Sequence, residues 1–215
     1  MVAAGIWLHV LQPAETTALI VAYALLVQGY AVWKLRHAIQ IGRLVPLVVG
    51  SAIGIPAGVA ILGIVAPGPL RVAIGALLIL FSVYNLIRPK LPAIKSAGPA
   101  ADGVVGAANG VLAGATGLGG MLPTIWSSMR GWSKDEQRAV FQPTAAATFA
   151  LTIVWLGGPG AIPPRSIALF LAGLPALPLG TWLGWKLYGR LDEASFRSVV
   201  LALLLLSGLA LMVRG

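Results

Sequence analysis

The chain contains no cysteine, which excludes disulfide frameworks, thiolate metal sites, iron–sulfur clusters and thiol nucleophiles together. Acid is also scarce, with six Asp and Glu against fifteen Lys and Arg in 215 residues. All six acids (Glu15, Asp102, Asp135, Glu136, Asp192 and Glu193) fall at the ends of apolar runs or between them. No run therefore carries the central carboxylate that a proton relay uses. The two histidines, His9 and His37, have no carboxylate pair beside them, so neither a metal nor a cofactor is expected. Gly-x-Ser-x-Gly, His-Glu-x-x-His and phosphate-binding lysine motifs are missing, which argues against an enzyme. Charged residues amount to 10%, against roughly 25% in an ordinary soluble domain. So few charges cannot cover a soluble fold of this size.

What is present is apolar length. Uncharged stretches run over Thr16–Trp33, Leu44–Leu70, Val72–Ile87, Gly103–Met129, Ala139–Pro164, Ser166–Trp185 and Ser198–Val213. Most approach the ~20 residues that cross a bilayer core. The expected fold class is an all-α polytopic membrane protein with about seven hydrophobic segments. The net charge of +9 points to loops facing anionic lipid rather than to nucleic acid, because the basic residues come in threes between apolar runs. The first Lys or Arg is Lys34, so the basic start of a signal peptide is lacking.

The spacing of those charges predicts the topology. Three basic residues lie in each of the connections at 34–43, 88–95, 130–138 and 186–197, and single ones at Arg71, Arg165 and Arg214. If every run crossed once, two of the rich connections would lie outside, against the positive-inside rule. If the fourth run enters and returns, twelve of the fifteen basic residues share one side. That run carries a reason to turn back. Gly114–Gly120 reads Gly-Ala-Thr-Gly-Leu-Gly-Gly with Pro123 soon after, and each interior glycine costs a helix about 1 kcal/mol relative to Ala.

The two halves of the chain match each other at a nearly constant offset. Trp33 pairs with Trp155 and Pro56-Ala57-Gly58 with Pro178-Leu179-Gly180 at a shift of 122, and the stretch from Arg71 pairs with that from Arg197 at 126. With the charge-derived topology the halves run oppositely, as in the inverted repeats of secondary transporters. The expected organisation is a first repeat over 1–96 and a second over 97–215, together one membrane domain. By this spacing the partner of Gly114–Gly120 falls at or before residue 1, so the first repeat is expected to lack most of its glycine-rich segment, either because the chain starts late relative to its relatives or because it is a true short form.

Glycines allow positive φ and close backbone approach, and a helix restarting near Met121–Pro123 presents unpaired N–H groups and a dipole that favour an anion. Thr116, Gly117, Gly119 and Gly120 are therefore candidates for an anion cradle, with Thr124 adding a hydroxyl. The alternative is that these small residues only permit tight helix packing. Gln142, Thr144, Thr148 and Thr152 lie in the fifth run, the threonines on one helical face, and Asn109 lies in the first arm of the fourth. They either line a substrate path or bond within and between helices. The tryptophans, several beside basic residues, suit interface anchors.

The stretch Gly110-Val-Leu-Ala-Gly-Ala-Thr-Gly-Leu-Gly-Gly-Met-Leu-Pro123, the closing Leu179-Gly180-Thr-Trp-Leu-Gly184 and the last helix ending Leu206-Ser-Gly208-Leu resemble the sulfite exporter TauE/SafE family. Met121 stands where a third consecutive glycine is frequent in that family. The resemblance implies a bacterial inner-membrane permease for small anions such as sulfite, organosulfonates or related oxyanions. The expected substrate-binding residues are Asn109, Thr116, Gly117, Gly119, Gly120, Thr124, Gln142, Thr144 and Thr148. The expected partners are a small inorganic or organic anion and the lipid bilayer, with homo-oligomer formation left open. The alternative function is a non-transporting membrane subunit that supports a partner complex.

Overall fold

The computed structural model describes residues 7, 11–87, 94, 97–157, 164–180, 182 and 193–213. All regular structure among them is helical: α1 Pro13–Leu35, a 3-10 turn Arg36–Ala38, α2 Ile41–Ile64, α3 Pro67–Ile87, α4 Pro99–Thr116, α5 Met121–Met129, α6 Lys134–Gly157, α7 Pro164–Gly173 and α8 Glu193–Val213. Residues Pro13–Ala38, Ile41–Ile64, Pro67–Ile87 and Asp135–Gly157 are each long and apolar enough to cross a membrane.

Two helix boundaries differ from those that charge spacing predicts, and local chemistry explains both. The uncharged run to Leu70 breaks at Val65–Ala66, because Pro67 opens α3 at the position where a missing N–H costs nothing. Arg71 thus lies inside α3 rather than at its border. Helix α6 starts before Ala139 because Ser133 and Glu136 form a capping box: the Ser133 N–H donates to Glu136 Oε2 at 2.9 Å and the Glu136 N–H to Ser133 Oγ at 3.3 Å.

The helices fall into two compact units, each drawing on both halves of the chain. In the larger, α2 and α4 pack in parallel through glycines spaced four apart. Gly50, Gly54 and Gly58 of α2 lie on the backbone of Gly103–Ala115, and Gly106, Gly110 and Gly114 of α4 lie on the backbone of Leu47–Val59. A Cβ on Gly114 would stand 2.6 Å from the Ile55 carbonyl oxygen, so only hydrogen fits there. Such contact is what holds helices together where lipid removes the hydrophobic drive. Ser51 adds a hydrogen bond across the pair, donating to the Gly106 carbonyl at 3.0 Å. On the other side Val21 of α1 packs with Ala145 and Phe149 of α6.

Helices α4 and α5 form a hairpin. The Ile94 N–H, before α4, donates to the Met129 carbonyl at the end of α5 at 2.8 Å. Trp126 Nε1 of α5 donates to Asp102 Oδ1 in the first turn of α4 at 2.7 Å. At the same end Arg43, near the start of α2, pairs with Glu136, near the start of α6, at 3.1 Å. The connection before α2 and the one before α6 therefore meet. A glycine-rich run that crossed once would hold them a membrane thickness apart.

The smaller unit contains α3, α7 and α8, with a helical stretch over 176–180. Gly75 of α3 faces Gly208, Leu211 and Met212 of α8, while Gly208 faces Gly75 and Ile79. Advancing along one helix means receding along the other, so the pair is antiparallel.

Two measurements check these contacts. Gly110→Leu should lower the melting temperature sharply, by about 3 kcal/mol or more of lost stability, whereas Gly29→Ala, with open space around it, should leave it unchanged. With no native thiol, single cysteines at His37 and Asp135, both exposed, should react with a membrane-impermeant maleimide from the same face. Labelling from opposite faces would contradict the hairpin.

Candidate functional site

The glycine segment breaks the helix as its composition demands. Gly117 ends α4 at φ 71° and Gly120 precedes α5 at φ 101°, both left-handed conformations that a Cβ would strain. Gly117 lies beside α1, where a Cβ would meet Ile20 and the Thr17 carbonyl at 3.2–3.3 Å. Gly119 and Gly120 lie against α6. A Cβ on Gly119 would stand 3.0 Å from Phe149 Cε1 and 3.3 Å from Thr148 Cγ2, and one on Gly120 would stand 3.1 Å from Ala145 Cβ.

Asn109 ties the break to its surroundings. Its side chain is fully buried. Its Oδ1 accepts the Gly120 N–H at 2.8 Å, and its Nδ2 donates to Ser51 Oγ of α2 and Thr148 Oγ1 of α6, each at 3.4 Å. One carboxamide thus bridges three helices and the loop. The contact with Ser51 is absent from the sequence reading, although Ser51 is a lone hydroxyl among the α2 glycines and could have been found there.

The threonines divide. Thr116 donates to the Leu112 carbonyl at 2.7 Å and accepts the Leu118 N–H at 3.2 Å, which caps the break locally. Thr124 donates to the Gly120 carbonyl at 2.7 Å, while Thr144 and Thr152 donate to Val140 and Thr148 carbonyls at 2.8 Å. Only Thr148 of these hydroxyls reaches a side chain on another helix. Asn109, Gly119, Gly120 and Thr148 are therefore brought together, with Thr116, Gly117 and Thr124 on the same break. Thr144 lies one turn from Thr148, its hydroxyl committed to its own helix.

Three features leave bonding capacity around this knot. Among the described residues no bond to a protein acceptor is found for the N–H groups of Met121 and Leu122 at the start of α5, and Pro123 has none to offer. Gln142 Oε1, on α6 one turn before Ala145, is buried without a partner, and so is Thr16 Oγ1, next to the Thr17 that touches Gly117. Buried polar atoms left unpaired are costly. Among the described residues no cluster of His, Asp and Glu could hold a metal ion, and no charged side chain bonds to the knot. It is built from neutral dipoles, aligned with the positive end of a helix.

Compared with known families, the chain matches the one described as "Sulfite exporter TauE/SafE" over residues 1–211 of 215. The chain belongs to the TauE/SafE family. No curated protein and no solved structure matches it. Membership makes it a membrane transport protein of a family named for sulfite export. Of the TauE/SafE-like stretch 179–184, Thr181, Leu183 and Gly184 lie outside the described residues, as does His9.

Asn109→Ala should destabilise the protein by about 1–3 kcal/mol, since it strands the Gly120 N–H. Asn109→Asp keeps that acceptor but adds a buried charge and removes both donors, so its melting temperature in detergent should fall further.

Proposed function

We propose that this protein is a secondary permease of small anions, with sulfite, organosulfonates or related sulfur oxyanions as substrates. The observation that carries the reading is the start of α5. The unbonded N–H groups of Met121 and Leu122 directly follow Gly120, whose own N–H is held by the Asn109 amide, and that amide in turn reaches the Thr148 hydroxyl; no carboxylate is bonded to any of them among the described residues. An oxyanion accepts several such bonds at once, and a charged acceptor makes each about twice as strong as a neutral one. The helix dipole adds to this. The orphaned Thr16 hydroxyl extends the set of donors toward α1, whereas the orphaned Gln142 Oε1 is an acceptor and suits a donor such as water rather than the anion. Binding requires the Asn109 carboxamide to yield the Gly120 N–H or to donate through Nδ2.

The proposal includes the remaining sequence-derived expectations: inverted repeats over 1–96 and 97–215, residence in a bacterial inner membrane, and the Arg43–Arg130 end in the cytoplasm. The antiparallel packing of α3 on α8 supports the first of these, because the internal match pairs those helices through Arg71 and Arg197. The excess of basic residues at one end supports the last.

Uptake of labelled sulfite into proteoliposomes, with methanesulfonate and sulfate as competitors, tests the reading. Saturable flux is expected, and one anion should compete it away. Gly119→Leu should abolish flux in protein that still inserts, whereas Gly63→Leu, in open space, should not. Absent flux from folded protein would favour the non-transporting subunit instead.

A further inference from the structure

The basic end of the α4–α5 hairpin lies apart from the anion site and is built from side chains that the permease reading leaves without a role. Four side chains from three places in the chain stack there. The Arg43 guanidinium lies 4.6 Å from the Trp132 ring centre, Arg130 lies 5.5 Å from the same ring, and Arg130 again lies 5.8 Å from the Trp126 ring. Such cation–aromatic contacts contribute most where water is excluded. Acids close both ends of the stack: Glu136 holds Arg43, and Asp102 accepts from Trp126 with Arg130 Nε 4.0 Å away. Arg130 also donates to the Ile94 carbonyl at 3.2 Å and to that of Ala97. Asp102 is only 4% exposed, so this acid, which the sequence places at the end of an apolar run, is a buried anchor.

Two more observations concern α5 itself. The positive-φ glycines found among the described residues are Gly117, Gly120 and Gly131. They flank this one helix, two before it and one after. Between it and α4 lies an apolar cleft of about 270 Å³, lined by Val104, Val105 and Ala108 on one wall and Leu122, Ile125, Met129 and the latch residue Trp126 on the other. Helix α5 is a nine-residue rod with glycine at both ends, space along one side, and a latch at its basic end. Val104 in this cleft is 71% exposed, so the cleft is an open groove along the outside of the hairpin, which the rod can enter without displacing packed side chains.

We infer that α5 is a hinged gate on the basic face of the anion site, latched shut by the Asp102–Trp126 bond and the Arg130 stack. Asp102 is a positioning residue: it acts on transport through Trp126 and Arg130 and does not touch the anion. Release of the latch lets α5 tilt into the cleft, which uncovers the N–H donors at its own start to the basic side. Hinges of this kind absorb their motion in a few residues at element ends. The inference rests on the permease reading for its purpose, while the motion itself can be observed without transport.

The test uses the absence of native cysteine. Ser127 is 1% exposed on α5, and Ser127→Cys is a near-isosteric reporter. In the otherwise native protein, a membrane-impermeant thiol reagent applied from the Arg43–Arg130 face should modify it slowly. Adding Trp126→Phe, which removes the bond to Asp102 and keeps the ring, should raise the rate at least tenfold. Asp102→Asn should do the same, because it removes the charge that holds Arg130. An unchanged rate in both would overturn the gate. A second measurement keeps Trp126 and Asp102 intact: Val105→Cys with Ile125→Cys, bridged across the cleft by a short reducible bifunctional reagent. Bridging should cut sulfite or methanesulfonate flux at least tenfold and reduction should restore it, with the single-cysteine variants unaffected. Bridged protein that transports at the unbridged rate would also overturn the gate. If the unbridged double variant and native protein both lack flux, the permease reading fails, and the Ser127→Cys rates still decide the motion.

Discussion

Everything in the larger unit depends on how closely α2 and α4 approach. Glycines at four-residue spacing on both helices bring backbone onto backbone, and that proximity places Ser51 within reach of both the Gly106 carbonyl and the Asn109 amide. Separate the helices by one methyl group and the chain of bonds from Ser51 through Asn109 to Gly120 opens. The glycine break would then lose its main anchor, and α5 its starting position. Packing without side chains is thus what makes a polar knot inside an apolar bundle tenable: the carboxamide is satisfied because two backbones are close enough for it to bridge.

The knot is electrically neutral although its inferred ligand is not. A buried arginine would hold an oxyanion tightly and release it slowly, and a buried charge is expensive when the site is empty. Dipoles avoid both difficulties, since N–H and O–H groups can return to one another when the anion leaves. On the proposed permease reading, the bonds now made by Asn109 and Thr116 are that resting arrangement. The arginines lie instead at the end of the hairpin, where they stack on tryptophan and are each faced by an acid, Arg43 by Glu136 and Arg130 by Asp102.

Much of this was legible in the sequence, for reasons that differ by element. The long uncharged runs mark α1, α2, α3 and α6 because charge is excluded from lipid. The clustering of Lys and Arg indicates that the glycine-rich run returns, and Arg43 meeting Glu136 has the same sense. Gly117 and Gly120 could be read because positive φ selects glycine so strongly. Asn109 stood out as an amide in an apolar run, but whether it served a ligand or the protein could not be read, since its partners Ser51 and Thr148 are far away in sequence. The α2–α4 contact had a visible signature, Gly50-Gly54-Gly58 and Gly106-Gly110-Gly114, yet that spacing does not say which helix is the partner. Asp102 was read as a terminal acid. Its burial arises from Trp126 and Arg130 folding back over it, and although the glycine-rich run signals a return, no local pattern says which side chains land on Asp102. The tryptophans suited interface anchors, and Trp126 and Trp132 prove to be members of a stack with arginine.

The shortness of α5 has a consequence for how the protein is made. Nine residues of helix span about 14 Å, less than half of the ~30 Å hydrocarbon layer, so α5 cannot enter a bilayer as an independent unit. Nor can the hairpin rest in lipid alone, because its break exposes backbone donors that hydrocarbon cannot satisfy. Ser51 is synthesised before the hairpin and can receive it at once, whereas Ala145, Thr148 and Phe149 emerge only afterwards. The polar break must therefore wait, shielded by α2 or by the insertion machinery, until translation delivers the helix that covers it. Biogenesis of this chain thus has an order, in which the helix that packs on Gly119 and Gly120 is the last of their neighbours to be made.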